Sequence, residues 1–206
     1  MKFDFLDIGT CDFDTSADTL TANPTAKILL VEPLKFYLDN IPSNDNILKV
    51  NVAIGKTFDT VDVFYLEQET ITKFHLPEWL RGCNRIGRPH WLALQELSRT
   101  GLSIDLVKSY NIEMISFKTL CDRYNITSIG QLKIDTEGYE RQIIEGARNT
   151  ISKYKPIITM SAYHNEKDLK DLPELLQSIS SGYVCKLMSH YEKDLICTAV
   201  VDRKST

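Results

Sequence analysis

The chain has 206 residues, 43% of them hydrophobic and 25% charged, proportions that suit one globular domain with a sizeable core and exclude a disordered or collagen-like chain. Its 28 acidic and 24 basic residues leave a formal charge of -4, which argues against generic nucleic-acid binding through a strongly basic surface and leaves only a local basic patch open.

Phe3 to Ile8 is a short apolar run that stops at Gly9, and Ala17 to Leu20 follow with helical spacing, so the chain opens as strand, tight turn and helix. Ile28 to Val31 forms a second continuous run, ended by Glu32 and Pro33. A third, Ile47 to Ile54, leads into Gly55, and a fourth, Val61 to Leu66, alternates apolar and polar as an edge strand does. Short unbroken runs of this kind suit strands covered on both faces. The stretch from Phe74 to Tyr110 interrupts the pattern, with Arg81, Arg85, Arg88, His90 and Arg99 set among Trp79, Trp91, Pro77 and Pro89. We expect an insertion there, at about residues 74–110, lying over the ligand edge of a sheet. Gln131 to Ile134 reads as a strand, and Tyr139 to Ile151 as a helix with Ile143, Ile144, Ala147 and Ile151 on one stripe. Pro156 to Ser161 is a further strand and Lys167 to Ile179 a helix. Tyr183 to Met188 and Leu195 to Val201 are two strands joined by a polar turn at Glu192 to Asp194, antiparallel because no helix separates them.

Strands alternating with helices and closed by a hairpin predict an α/β fold, a doubly wound and mostly parallel sheet, with residues 1–206 as a single domain. In such sheets ligands bind beyond the carboxyl ends of the strands, at the topological switch point. No stretch approaches the roughly 20 apolar residues of a bilayer span, and the opening MKFDFLDIG turns acidic where a secretory leader needs a basic and then an apolar run. A cytoplasmic protein without membrane contact is expected. The five cysteines, Cys11, Cys83, Cys121, Cys185 and Cys197, are odd in number and stand at no zinc-type spacing, so neither a disulfide framework nor a structural metal site is expected.

Asp7, Gly9 and Thr10 stand where the first strand should end, where a glycine lets backbone approach a ligand and the next helix offers free amide donors. A plain strand-to-helix turn explains them as well. Glu32 follows the second strand, the position from which a carboxylate can hold a ribose diol. The residues after Gly9 are Thr10, Cys11, Asp12, Phe13 and Asp14, which is not the glycine fingerprint of a dinucleotide site and is acidic enough to repel a pyrophosphate. A phosphate-free adenosyl ligand fits better. The segment LKIDTEGYE gathers Lys133, Asp135, Glu137 and Glu140 at the end of a central strand, where burying charge is expensive unless a partner or ligand compensates it. For Glu140 a place in the first turn of the next helix is the simpler explanation.

These segments together resemble the FkbM-type class I S-adenosylmethionine-dependent methyltransferases. FDFLDIGTCDFDTS, LLVEPL, VNVAIG and LKIDTEGYERQIIEGA carry the resemblance, with SAYHNEKDLKDLPELL and LMSHYEKD as later pieces. It implies a single methyltransferase domain with a Rossmann-like seven-stranded sheet and a reversed terminal hairpin, binding S-adenosylmethionine and releasing S-adenosylhomocysteine. In that reading Asp7, Gly9 and Thr10 shape the pocket for the methionine part, Glu32 holds the ribose, Val52 and Ala53 border the adenine, and Asp135 lies beside the sulfonium or the acceptor hydroxyl. Phe13 stands where the family has a second glycine, and Thr10 where it has a small residue. No metal is implied, although Asp135 with Glu137 offers two carboxylates that can hold one.

Methyl transfer to a hydroxyl needs alignment and a base. His164 is the first candidate, because imidazole titrates near neutral pH, and Asp135 the second. Glu137, Tyr163, His190 and the basic residues Arg81, Arg85, Arg88 and His90 are expected around the acceptor, with Trp79 and Trp91 able to stack on a sugar or base. The leading acceptor is a hydroxyl of a sugar, glycan or related small molecule. The alternatives are ribose 2'-O-methylation of RNA, such as a cap, and a catalytically inactive cofactor-binding module. The oligomeric state is left open by the sequence.

Overall fold

A computed structural model describes residues 1–11, 14–188 and 194–199. In chain order its elements are β1 (Lys2–Ile8), α1 (Asp14–Ala22), β2 (Ile28–Val31), α2 (Lys35–Asn40), β3 (Ile47–Val50), β4 (Ala53–Gly55), β5 (Asp59–Tyr65), α3 (Gln68–Lys73), β6 (Arg85–Ile86), α4 (Trp91–Thr100), β7 (Lys108–Ser116), α5 (Phe117–Arg123), β8 (Ser128–Ile134), α6 (Glu140–Gly146), α7 (Arg148–Tyr154), β9 (Ile157–Ser161), α8 (Asp168–Ile179), β10 (Tyr183–Met188) and β11 (Asp194–Ala199). Seven strands form the main sheet in the order β10-β11-β9-β8-β1-β2-β3, parallel except where β11 runs against both β9 and β10. The doubly wound sheet and its antiparallel terminal hairpin agree with the sequence reading. The turn at 189–193 lies outside the described residues.

All four residues of β2, Ile-Leu-Leu-Val, are buried, as a strand covered on both faces requires. Alternation divides the strands between two cores. Leu6, Ile8, Leu29 and Val31 pack with Ile143, Ile144, Ile151 and Leu176 on one face. Phe5, Ile28 and Leu30 pack with Leu38 and Ile41 on the other.

The register sets the ligand edge. Ile8 lies level with both Val31 and Ile134, and Val31 with Val50, so the next residues of the four strands, Gly9, Glu32, Asn51 and Asp135, leave the sheet along one line. Connections run outward from β1 to β2 and β3, then return to β8 on its other flank. The switch point falls between β1 and β8.

Several boundaries differ from the expectation. Ile47 to Ile54 is two strands, because at Asn51 the chain passes from the main sheet to a second one of order β4-β7-β5-β6. The Asn51 amide holds this crossing by donating to the carbonyls of Glu32 (2.9 Å) and Pro33 (2.8 Å). The strand read as an edge, β5, lies between β7 and β6. β7 is an additional strand, although Tyr110, Ile112 and Met114 alternate there with Ser109, Asn111 and Glu113. The single helix expected to Ile151 is α6 and α7, separated at Ala147, while its stripe of Ile143, Ile144, Ala147 and Ile151 is fully buried. Gly146 ends α6 against β4, where an added Cβ would lie 3.0 Å from the Gly55 carbonyl oxygen. Cys185 and Cys197 face each other across β10 and β11 and form a disulfide. That corrects the expectation of no disulfide: the bond is a single staple on one hairpin, and a separation of 12 residues says nothing of it until the register is known.

Removing the Asn51 side chain should leave two carbonyls without their donors at the crossing between sheets. Asn51→Ala is expected to lower unfolding free energy by about 1–3 kcal/mol, read by chemical denaturation, with no change in oligomeric state.

Candidate active site

At the end of β1 the backbone must turn sharply between two strands. Gly9 does so at φ +83°, and an added Cβ would meet the Asp135 carbonyl oxygen at 1.9 Å, so no other residue fits. Asp7, two residues earlier, pairs across the sheet with Lys133. The Lys133 ammonium lies 3.1 Å from Asp7 Oδ1, and Ser16 donates to Asp7 Oδ2 at 3.0 Å. Burial alone would lower the Lys133 ammonium's pKa, but Asp7 and Asp135 outweigh it and hold the group charged. This pair supports the floor of the site.

Above it opens a cleft of about 620 Å³ including its mouth, lined by Gly9, Cys11, Glu32, Val52, Ala53 and Asp135. Glu32 is almost wholly buried, yet its oxygens have donors: Leu34 N at 2.9 Å and Cys11 N at 3.2 Å. Cys11 reaches it from a left-handed backbone, φ +40°. Burial raises the Glu32 carboxyl to about 7, with Asp7 adding to the shift and the two amides and Lys133 opposing it. Asp135 is likewise raised by burial, to about 6, against the pull of Lys133. Its Oδ1 is buried with no hydrogen-bond partner, as is the Thr10 hydroxyl.

The segment 136–140 then folds a carboxylate back over the cleft. Glu137 and Gly138 both take positive φ, +54° and +103°, an arrangement that costs a non-glycine residue on the order of 1 kcal/mol. Glu137 is held there by two histidines, with its Oε2 lying 3.1 Å from His90 Nε2 and 3.1 Å from His164 Nε2. His90 caps α4, accepting the Leu92 amide at Nδ1, which leaves Nε2 as its donor to Glu137. On the other side of His164, Nδ1 lies 3.1 Å from Glu140 Oε1. Glu140 is itself fixed by Thr136 N at 2.9 Å and Gly138 N at 3.3 Å. Burial would lower the His164 imidazole, but the carboxylates of Glu137 and Glu140 outweigh it and push it up to about 10.

Of the residues expected to hold a cofactor, the structure brings Gly9, Glu32, Val52, Ala53 and Asp135 to one cleft. Asp7 and Thr10 are buried and do not line it. Sequence reasoning missed Cys11, whose amide holds Glu32, and Gly82, Asn84 and Ile86, which bring the 74–110 segment to the cleft wall. The only signal for these three was the broken strand-helix pattern, and it drew attention to the arginines. Those do not gather. Arg81 lies in a separate hollow with Cys11, Phe36 and Tyr37, Arg85 shares one with His164, Arg141 and Lys167, and Arg88 is exposed and lines neither. His90, Glu137, Tyr163 and His164 share a third hollow with Trp79 and Trp91, whose rings are about half exposed. His190 lies outside the described residues, as does Phe13. No helix among the described residues is long and apolar enough to cross a membrane.

No curated protein matches the chain significantly. Among solved structures, the methyltransferase FkbM from Methylobacillus flagellatus KT superposes with a TM-score of 0.60 at 18% identity, over 96% of this chain and 44% of the other. That likeness shows the fold alone, and the chain spans less than half the length of that protein. Precorrin-6y C5,15-methyltransferase from Geobacter metallireducens GS-15 gives a TM-score of 0.43 at 13% identity, over 95% of this chain and 78% of that one, a level that carries no argument. The model of the methyltransferase FkbM domain matches residues 7–185, a span that runs from Asp7 under the cleft through the Glu137 cluster to the terminal hairpin, and the chain belongs to the FkbM methyltransferase family.

Proposed function

We propose that the protein is an S-adenosylmethionine-dependent O-methyltransferase acting on a hydroxyl of a sugar, glycan or related small molecule. The observation that carries the reading is the charge of the cleft: Glu32, Asp135 and Glu137 line it, and among the described residues no lysine or arginine does. A pyrophosphate finds no counter-charge there, whereas an adenosyl sulfonium, cationic and free of phosphate, finds the ionised Glu137 and favours the ionised forms of Glu32 and Asp135. The cofactor supplies a methyl carbon on a positively charged sulfur.

The chain's own residues then divide the work. Each Glu32 oxygen accepts one backbone amide and keeps a lone pair for a ribose hydroxyl. Val52 and Ala53 offer the apolar wall that suits a base. On the acceptor side Trp79, Trp91 and Tyr163 border the hollow above Glu137, and aromatic faces suit a sugar ring. A hydroxyl loses its proton as its oxygen is methylated. His164, charged at neutral pH between Glu137 and Glu140, already holds a proton, so the role of base passes from His164 to Asp135, whose buried oxygen has no other partner. His164 serves to position Glu137. RNA is the less supported acceptor, because Arg81, Arg85 and Arg88 face different hollows or solvent instead of one phosphate track.

Calorimetry should show binding of S-adenosylmethionine and S-adenosylhomocysteine but not of NAD, and Glu32→Ala should weaken it by about 1–3 kcal/mol; NAD binding alone would sink the reading. The same carboxyl should govern stability. Its folded pKa lies above the ordinary value, so the native state binds more protons than the unfolded chain between pH 4.5 and about 7, and stability falls as pH rises through that window. The cost is on the order of 3 kcal/mol, and Glu32→Gln should flatten that part of the curve in urea titrations. For the chemistry, Asp135→Asn is expected to lower turnover by about two to four orders of magnitude while cofactor affinity changes much less. The acceptor is identified by incubating the protein with methyl-labelled cofactor against a glycan panel and capped RNA. Label in saccharide supports the reading, label in ribose replaces it with RNA methylation, and cofactor binding without transfer points to an inactive module or to an acceptor outside the panel.

A further inference from the structure

His164 poses a problem that the methyl-transfer reading leaves unsolved. Its side chain is only 3% exposed, and each ring nitrogen lies 3.1 Å from a carboxylate oxygen, yet neither makes an aligned hydrogen bond. Distance without alignment is unusual for a buried imidazole, since a buried polar atom without a partner costs about 1–3 kcal/mol. For Nδ1 and Glu140 Oε1 it is the ordinary relation between neighbouring ligands of one metal ion, while Nε2 remains beside Glu137. Donor atoms about 2.0–2.2 Å from a metal and separated by tetrahedral or octahedral angles lie roughly 3 Å from each other and do not point at one another.

A second observation meets the first. Asp135 offers an oxygen that is buried and without a partner, and the ligand atoms of Asp135, Glu140 and His164 all lie within 4.8 Å of one another. The group comes from two neighbouring strand ends, β8 and β9, and the first turn of α6, so the scaffold holds it. Ligating carboxylates are themselves held by outer hydrogen bonds. Glu140 has such support from Thr136 and Gly138. Lys133, the lysine nearest Asp135 in sequence, is already paired with Asp7.

We propose that Asp135, Glu140 and His164 bind a divalent first-row metal ion. The ion displaces the proton that His164 carries in the metal-free protein. One imidazole with two carboxylates suits Zn²⁺ or Mn²⁺ better than Ca²⁺, which prefers oxygen alone. Three protein ligands leave positions open, and Asp135 faces the cofactor cleft. The open side therefore takes the acceptor's hydroxyl, whose acidity a Lewis acid raises. With the ion bound, the partnerless Oδ1 of Asp135 is the ligand and the second carboxylate oxygen takes the acceptor's proton. The ion's use rests on the methyl-transfer reading, but its binding does not.

The test is binding to the full chain after chelator treatment and dialysis, titrated with ZnCl₂ by calorimetry and with CoCl₂ by visible absorption, with thermal melts alongside. One equivalent should bind, raise the melting temperature and give a cobalt d–d band. His164→Gln and Asp135→Asn should each weaken binding by about 10-fold to 100-fold or more, with melts of the metal-free variants confirming that they fold. No saturable binding of Zn²⁺ or Co²⁺ below about 1 mM, or undiminished binding in His164→Gln, would overturn the proposal and leave His164 as a protonated clamp between two carboxylates. S-adenosylhomocysteine titrated into the same samples separates the two readings. Cofactor binding without metal binding removes the metal site alone, and metal binding without cofactor binding removes the methyl-transfer reading alone.

Discussion

The level register of β1, β2 and β8 is the constraint from which the site follows. Because Ile8, Val31 and Ile134 stand side by side, the residues after them must leave the sheet together, and each meets the others' backbone before it meets solvent. Gly9 has to be glycine because Asp135 is one strand away. Glu32 turns inward and finds the amide of Cys11, just beyond Gly9. Asp7 and Lys133, paired across the same two strands, keep a buried ion pair beneath. Hydrophobic burial of Leu6, Leu29 and Leu132 holds this alignment, so the geometry of the polar edge is paid for by an apolar core several residues away.

Much of that edge was legible in the sequence, because each of its members ends an apolar run: Gly9 after LDI, Glu32 after ILLV, Asp135 after LKI. Strand ends announce themselves locally. The terminal hairpin was legible for a similar reason, two strands with too little chain between them for a helix. Contacts between distant segments gave no comparable sign. That β4 leaves the main sheet depends on pairing Ala53 with Met114, and that Cys185 bonds Cys197 depends on their being opposite in register. His90 and His164 each drew notice, but their sharing of Glu137 is a property of the folded chain. The change of role for His164 has the same origin: an isolated imidazole titrates near neutrality, and only the fold supplies the two carboxylates that move it.

The site also concentrates unfavourable terms. Glu32 and Asp135 are carboxyls raised by burial, Glu137 holds a left-handed backbone, and His164 is enclosed with misaligned partners. Elsewhere the described chain carries surface ion pairs such as Lys35–Asp39 and Lys118–Asp122 at helical spacing, and left-handed backbone recurs at His75, Asn125 and Lys155. Desolvated carboxyls gathered in one cleft are what a preorganised site requires, since groups already stripped of water need not be reorganised when a ligand arrives.

The contact at Gly9 bears on how this protein can change over generations. At that codon selection acts before any chemistry, since a single methyl group would collide with the Asp135 carbonyl and part β1 from β8 in the middle of the sheet. The exposed Trp79 and Trp91 of the 74–110 segment border the separate hollow beside Glu137 and His164 and carry no such constraint. The architecture thus sets a seam that admits a single residue type beside a rim that is open to solvent.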